Sequence, residues 1–83
     1  MKVTVKYFAS IREAVGQGSE QVDTTSATLA ELRGELMARG PAYAAALARG
    51  RAVRMALNQV MSDESDALTD GCEVAFFPPV TGG

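Results

Sequence analysis

The 83-residue sequence contains no histidine, no tryptophan and a single cysteine, Cys72. One cysteine cannot form a disulfide within the chain, and the usual zinc and iron–sulfur ligand sets need further cysteines or histidines. The chain also lacks a histidine base, a nucleophile paired with a base, and a glycine-rich phosphate loop. We therefore expect no bound metal or cofactor and no catalysis by this chain alone.

Neither an excess of basic residues nor a long apolar run is present. Lys and Arg number 8 against 10 Asp and Glu, a formal charge of −2, and no basic stripe with interleaved aromatics suggests nucleic-acid binding. Arg49, Arg51 and Arg54 could hold an anion or an acidic partner, although a solvated loop leading into a strand is the simpler interpretation. We expect no signal peptide, no membrane span and a cytoplasmic protein.

Alternating side chains predict two strands near the start. Residues 1–8 alternate between apolar and polar side chains, as a half-buried strand does, and residues 19–24 form a weaker candidate. Gly16 and Gly18 supply turn residues between them, so we predict a hairpin with a long loop.

A helix start signal follows at Thr28. With Glu31 it forms a capping box, in which the hydroxyl and the carboxylate each accept from a free backbone N–H. The apolar face of the predicted helix consists of Leu29, Leu32 and Leu36, and the polar residues Glu31, Arg33 and Glu35 are expected to point outward.

The second half reads as a short helical turn and three strands. The turn covers residues 42–48, and an Asp-Gly turn at 70–71 precedes the last strand. The predicted strands cover residues 53–57, 60–61 and 72–77. This order predicts an α+β protein of β-grasp, or ubiquitin-like, fold: a mixed sheet with one main helix packed across it and the first and last strands parallel at its centre.

The last six residues form a tail that is rich in proline and glycine. Pro78 and Pro79 lack backbone N–H groups, so the last strand cannot continue past Phe77, and paired prolines favour an extended chain. Gly82 and Gly83 carry no Cβ and can thread a slot too narrow for a side chain. We therefore divide the chain into a domain, residues 1–77, and an extended diglycine tail, residues 78–83.

Three stretches carry a resemblance to a known family. Residues 68–83, LTDGCEVAFFPPVTGG, resemble the C-terminus of the small subunits of molybdopterin synthase, the sulfur carriers of molybdenum cofactor biosynthesis. YFASIRE at residues 7–13 and ALNQ at residues 56–59 match as well. Residues 16–51 match in pattern only.

The resemblance implies a function for the tail. The Gly83 carboxylate would be adenylated with ATP by a ubiquitin-activating-type partner enzyme and converted to a thiocarboxylate by a sulfur donor protein. Pro78, Pro79, Val80, Thr81 and Gly82 would thread into the large subunit, where sulfur passes to cyclic pyranopterin monophosphate. The expected complex is a heterotetramer of two small and two large subunits, and the small subunit is a carrier without catalytic activity of its own.

Alternation also predicts a docking patch beside the tail. Phe8, Ala75 and Phe77 fall on the sheet face away from the helix, with Arg54 at the rim, and an exposed apolar patch with aromatic anchors suits partner binding. A covering loop or helical turn is the alternative.

Cys72 departs from the family pattern; it could relay sulfur as a thiolate, but a packing role at the far end of the strand is the simpler interpretation.

Other functions stay open at this stage. A diglycine end also occurs in carriers for thiamin, cysteine and tRNA thiolation and in ubiquitin-related modifiers, although the Phe-Phe-Pro-Pro approach favours the molybdopterin branch. A ubiquitin-like interaction module with an inert tail is a second alternative, because glycine-rich termini are often without a role. A stand-alone enzyme is the third.

Overall fold

A computed structural model describes residues 1–48 and 52–79 of the chain. Within those residues, no helix has the length and apolarity needed to cross a membrane. The elements in this part of the chain are β1 (Lys2–Tyr7), α1 (Ala9–Val15), β2 (Ser19–Asp23), α2 (Leu29–Met37), α3 (Pro41–Ala46), β3 (Arg54–Leu57), β4 (Val60–Ser62) and β5 (Glu73–Phe77).

The strands form one mixed sheet in the order β2-β1-β5-β3-β4. β1 and β5 lie side by side and parallel, with Val5 opposite Val74, and the other neighbours are antiparallel. This confirms the predicted α+β fold, with the first and last strands at the centre. The long connection from β1 to β5 is what allows two parallel neighbours.

The core lies between the sheet and α2, and it follows the predicted alternation. Val5, Val74 and Phe76 are fully buried on the inner face of the sheet, and Leu29, Leu32 and Leu36 of α2 are fully buried against them. The three leucines recur at three- and four-residue steps, so they line one side of the helix. Each such burial stabilises the fold by roughly 1.5–3 kcal/mol before the entropy of ordering is counted.

The capping box at the start of α2 is present in a shifted form. The Thr28 hydroxyl accepts from the Glu31 N–H at 3.3 Å, and the Glu31 carboxylate accepts from the Ala27 N–H at 2.8 Å, one residue before the cap. Both side chains therefore satisfy backbone donors at the helix start, as predicted.

The predicted long hairpin loop was wrong, because residues 9–15 form α1. The helix places Ile11 in the core, 4% exposed, while Gly16 at φ 92° ends it with its N–H donated to the Arg12 carbonyl. The N-cap residue, Phe8, makes no side-chain capping bond. The helix thus lacks an N-capping side chain and has only two apolar residues on its core side, Ile11 and Val15, so its sequence gives a weak helix signal.

The outward orientation predicted for α2 was wrong at Arg33. Its side chain is buried, and its guanidinium contacts the backbone after α3 and the carboxylate of Glu64. Glu35 is half-buried and accepts from the hydroxyls of Thr24 and Ser26. Polar residues on this helix therefore serve as buried anchors, because their partners come from segments distant in sequence.

Glu20 of β2 is the centre of a polar cluster that connects three elements. Its carboxylate accepts from the hydroxyls of Tyr7 at 2.8 Å and Tyr43 at 3.2 Å, and from the Arg39 guanidinium at 2.5 Å. Burial raises the pKa of Glu20, but the hydrogen bonds from Arg39, Tyr7 and Tyr43 and the Arg39 charge outweigh it, so the pKa is lowered. The pKa of the Tyr7 hydroxyl is raised, mainly by burial and next by its hydrogen bond to Glu20.

We predict an acid-sensitive contribution of Glu20 to stability. Because folding lowers its pKa, the contribution is fully present above the ordinary glutamate pKa of about 4.3 and is lost as the pH falls through the lowered value. Glu20→Gln should reduce the free energy of unfolding by roughly 1–3 kcal/mol at pH 7, as expected for hydrogen bonds to a charged group. Urea unfolding at pH 7 and below pH ~4 measures the difference.

The exposed Glu13 of α1 provides the control, Glu13→Gln. It should leave stability unchanged at pH 7. A Glu20→Gln deficit that stays constant as the pH falls would show that the carboxylate charge is not what stabilises the cluster.

Candidate functional site

The candidate site begins where β5 ends and the tail starts. Phe77 is the last residue of β5, and Pro78 and Pro79 follow it outside the sheet. This agrees with the prediction that the prolines end the strand. The remaining tail residues singled out from the sequence, Val80, Thr81, Gly82 and Gly83, lie outside the described residues.

Phe8 and Phe77 meet on the outer face of the sheet, the face opposite α2. Their ring centroids are 6.5 Å apart at an interplanar angle of 85°, an edge-to-face arrangement. Phe8 is 46% exposed and Phe77 is half-buried. The Phe8 N–H donates to the Phe76 carbonyl at 3.1 Å, which holds the two strand ends together. The predicted aromatic pair therefore exists beside the start of the tail.

The turn after Phe8 explains why its ring remains on the outer face. Ala9 has φ 51°, in the left-handed region, which for a residue with a Cβ costs roughly 1–2 kcal/mol. The chain changes direction here and enters α1, whose Ile11 turns to the core while Phe8 does not. Backbone strain of this kind is found at functional positions more often than elsewhere.

Arg54 lies at the edge of the aromatic pair, as predicted. It is exposed and stands directly opposite Phe77 in the register of β3 and β5. Arg49 and Arg51, the other members of the arginine cluster, lie outside the described residues. Arg54 therefore supplies a cation at the rim of the aromatic surface.

The exposure predicted for Ala75 was wrong. It does lie on the outer face, but only 8% of it is exposed. Ala75 belongs to the central strand and has a paired neighbour on each side, Lys6 of β1 and Ala56 of β3, which limits the exposure of its short side chain. Lys6 also forms an ion pair with Glu73 at 3.3 Å. Alternation in the sequence identifies the face of the sheet on which a residue lies, but not how exposed that residue is.

The outer face contains one apolar residue that the sequence patterns did not single out. Met61 of β4 stands opposite Ala56, in the same row as Ala75, and is 57% exposed. The exposed position of Met61 follows from the strand pairing, because the register of β3 and β4 places Met61 beside Ala56. The outer apolar surface therefore runs from Met61 to the Phe8–Phe77 pair.

A groove lies at the start of the tail, on the side of α1 and α3. Its volume is about 350 Å³. The lining residues come from two helices, the segment before β3 and the tail itself: Ser10, Ile11, Ala46, Ala52, Val53, Pro78 and Pro79.

Cys72 is a core residue. It is 3% exposed and belongs to the same buried cluster as Val3 and Leu68. A buried thiol in apolar surroundings is a poor nucleophile, which agrees with the packing role and argues against a sulfur relay.

The described residues bring side chains that are common in protein interfaces together at the start of the tail. Two aromatic rings, an exposed arginine and two prolines lie together at one end of β5. Aromatic and arginine side chains are the usual anchors of protein interfaces.

Comparisons with known proteins agree on one family. The sequence profile of the ThiS family matches residues 5–83. The chain is 42% identical over 81 residues to the molybdopterin synthase sulfur carrier subunit of Escherichia coli strain K12, covering 98% of this chain and 99% of that protein.

Solved structures share the fold. SAMP1 from Haloferax volcanii superposes with a TM-score of 0.81 at 26% identity, and each chain is covered completely. Subunit 1 in a complex of subunits 1 and 2 of molybdopterin-converting factor from Helicobacter pylori gives a TM-score of 0.71 at 27% identity, again with both chains covered completely.

Proposed function

This chain belongs to the ThiS family, and from that membership we propose that it is the sulfur carrier subunit of a molybdopterin synthase. The observation that carries the proposal is the 42% identity to a sulfur carrier subunit over nearly the whole length of both proteins. The aromatic pair beside the proline-led tail supports it, because a carrier needs a docking surface close to its reactive end.

Gly83 is the residue on which the chemistry takes place. Its carboxylate is a poor electrophile; attack on the α-phosphorus of ATP releases pyrophosphate and gives an acyl adenylate with a good leaving group. The terminal sulfur of a donor persulfide then attacks the acyl carbon and AMP departs. A second thiol cleaves the resulting sulfur–sulfur bond, is itself oxidised to a disulfide, and leaves the thiocarboxylate on Gly83.

The tail delivers that sulfur to a partner. Pro78 and Pro79 hold the tail away from the sheet, and Val80, Thr81 and Gly82 thread into the large subunit. Docking is carried by Phe8 and Phe77. The thiocarboxylate is a soft nucleophile, and its sulfur passes to cyclic pyranopterin monophosphate; two loaded carriers supply the two sulfurs of one dithiolene.

The partners follow from this reaction. A large subunit provides the pocket for the tail, and a partner of this kind is supported by the complex that the Helicobacter pylori relative forms between subunits 1 and 2. We propose an assembly of two small and two large subunits. A ubiquitin-activating-type enzyme consumes the ATP, and a donor protein provides the persulfide. The carrier itself needs no bound cofactor.

Intact mass tests the proposal. Incubation of the chain with ATP, the cognate adenylating enzyme and a sulfur donor should add the mass of one sulfur in place of one oxygen. Loaded chain mixed with the large subunit should then convert cyclic pyranopterin monophosphate to a dithiolene product and return to its original mass. A chain lacking Gly83 is the control and should gain nothing.

The other outcomes separate the alternatives. Loading without transfer to the pyranopterin, but with transfer in a thiamin, cysteine or tRNA thiolation system, would assign the carrier to another pathway. No loading by an adenylating enzyme that is active on another carrier would favour an interaction module with an inert tail.

A further inference from the structure

The guanidinium of Arg33 connects α2 to the end of α3. Its Nε donates to the Leu47 carbonyl at 2.7 Å and one terminal nitrogen, Nη2, donates to the Ala48 carbonyl at 2.8 Å. The other, Nη1, contacts the Glu64 carboxylate at 2.8 Å. All three nitrogens are thus used, and the side chain is only 5% exposed. The planar fork of arginine can satisfy two neighbouring carbonyls at once, which a lysine ammonium does less well.

These two carbonyls lie at the C-terminal end of α3. α3 spans six residues, and Leu47 is its C-cap. The last carbonyls of a helix have no partner within the helix, and Leu47 is fully buried, so water cannot readily replace Arg33. Together with the core burial of Leu47, Arg33 therefore holds the C-terminal end of α3 in place.

The end of α3 is also a wall of the groove at the start of the tail. Ala46, one residue before the first carbonyl held by Arg33, lines the groove together with Ile11 of α1. Ala52 and Val53, a few residues after Ala48, line it as well, and Pro78 and Pro79 close its other side.

We propose that Arg33 is a positioning residue that sets the direction in which the tail leaves the domain. This inference rests on the proposed carrier function, since direction matters only if the tail must enter a partner. By holding Leu47 and Ala48, Arg33 keeps the groove wall in place, and the wall restricts Pro78 and Pro79 to the orientation from which the tail can thread.

Loss of this restraint should reduce the fraction of molecules whose tail points correctly. The apparent dissociation constant for a partner rises in inverse proportion to the competent fraction. Once the tail is bound, the reacting atoms meet the same surroundings as before. A change at Arg33 should therefore raise KM for the carrier and leave kcat unchanged.

The test is Arg33→Lys, which retains the charge but cannot form the fork. Proton–carbon NMR of the free, unloaded protein should show shifted signals for Pro78, Pro79 and the Val53 methyl groups. In the transfer reaction, KM for the carrier should rise about tenfold if the competent fraction falls to a tenth, with kcat within twofold of the original.

Two matched variants separate positioning from general destabilisation. Val22→Ala creates a cavity in β2, at an edge of the sheet remote from β3, and should lower stability without moving the proline signals or KM. Glu64→Gln removes the charge of the third contact but leaves both carbonyl bonds, and it should resemble the unaltered protein in both readouts.

Unchanged proline signals in Arg33→Lys would overturn the proposal, as would equal proline shifts in Val22→Ala. The NMR readout requires neither loading nor a partner. It therefore decides the role of Arg33 in tail placement even if the intact-mass experiment shows that the protein is not a sulfur carrier.

Discussion

Gly82→Ile should abolish sulfur loading while leaving the domain folded. The diglycine end of the tail fits the narrow slot that we propose because it lacks side chains, whereas a β-branched residue adds bulk at Cβ and removes the conformations that only glycine adopts readily. Intact mass after incubation with ATP, the adenylating enzyme and the sulfur donor should show no gain of sulfur. Thermal unfolding should be unchanged, since the buried core ends at Phe76 among the residues that the structure describes.

Val80→Ile is the matched control, because it adds one methylene group in the same tail outside the diglycine. It should load to at least half the original extent. Normal loading of Gly82→Ile would contradict the narrow-slot explanation, and loading of a chain that lacks Gly83 would contradict the assignment of the thiocarboxylate to that residue.

Phe77→Asp should weaken binding to the large subunit by about 30-fold or more, the range of an interface hot spot. Phe77 is half-buried, contacts the ring of Phe8 and directly precedes the prolines, so it lies at the centre of any surface that surrounds the tail. A carboxylate there removes the aromatic anchor and would have to be desolvated on binding. Isothermal titration calorimetry of the unloaded carrier with the large subunit measures the change.

Phe77→Ala keeps the experiment interpretable if the aspartate disturbs β5. It should weaken binding in the same direction but less strongly, and Phe8→Ala should do the same, since each leaves the other ring without its edge-to-face partner. Val60→Ala is the control: Val60 is 66% exposed and apolar, but it lies opposite Leu57, on the other set of alternating positions. Equal losses in Val60→Ala would mean that binding depends on general surface hydrophobicity and not on the aromatic pair.

Errors in the sequence interpretation share a physical cause. The buried position of Arg33 and the half-buried Glu35 depend on partners from the segments that follow β2 and α3 and from the 63–66 loop, which no local pattern can bring to α2. The shielding of Ala75 depends on the residues that face it from β1 and β3. α1 was missed because it carries one buried residue, Ile11, and no capping side chain, so its helical state rests on packing more than on local preference.

Local signals were sufficient to predict the alternation of β1 and β5, the capping box and leucine face of α2, the strand end before Pro78, and the diglycine without side chains. These suffice for the fold class, because period and capping follow from backbone geometry within a few residues. Only the folded chain shows the strand register, the aromatic pair of Phe8 and Phe77, the exposure of Met61, and the hydrogen bonds of Arg33 to the end of α3. Each of these depends on contacts between segments far apart in the chain, and only folding brings such segments together.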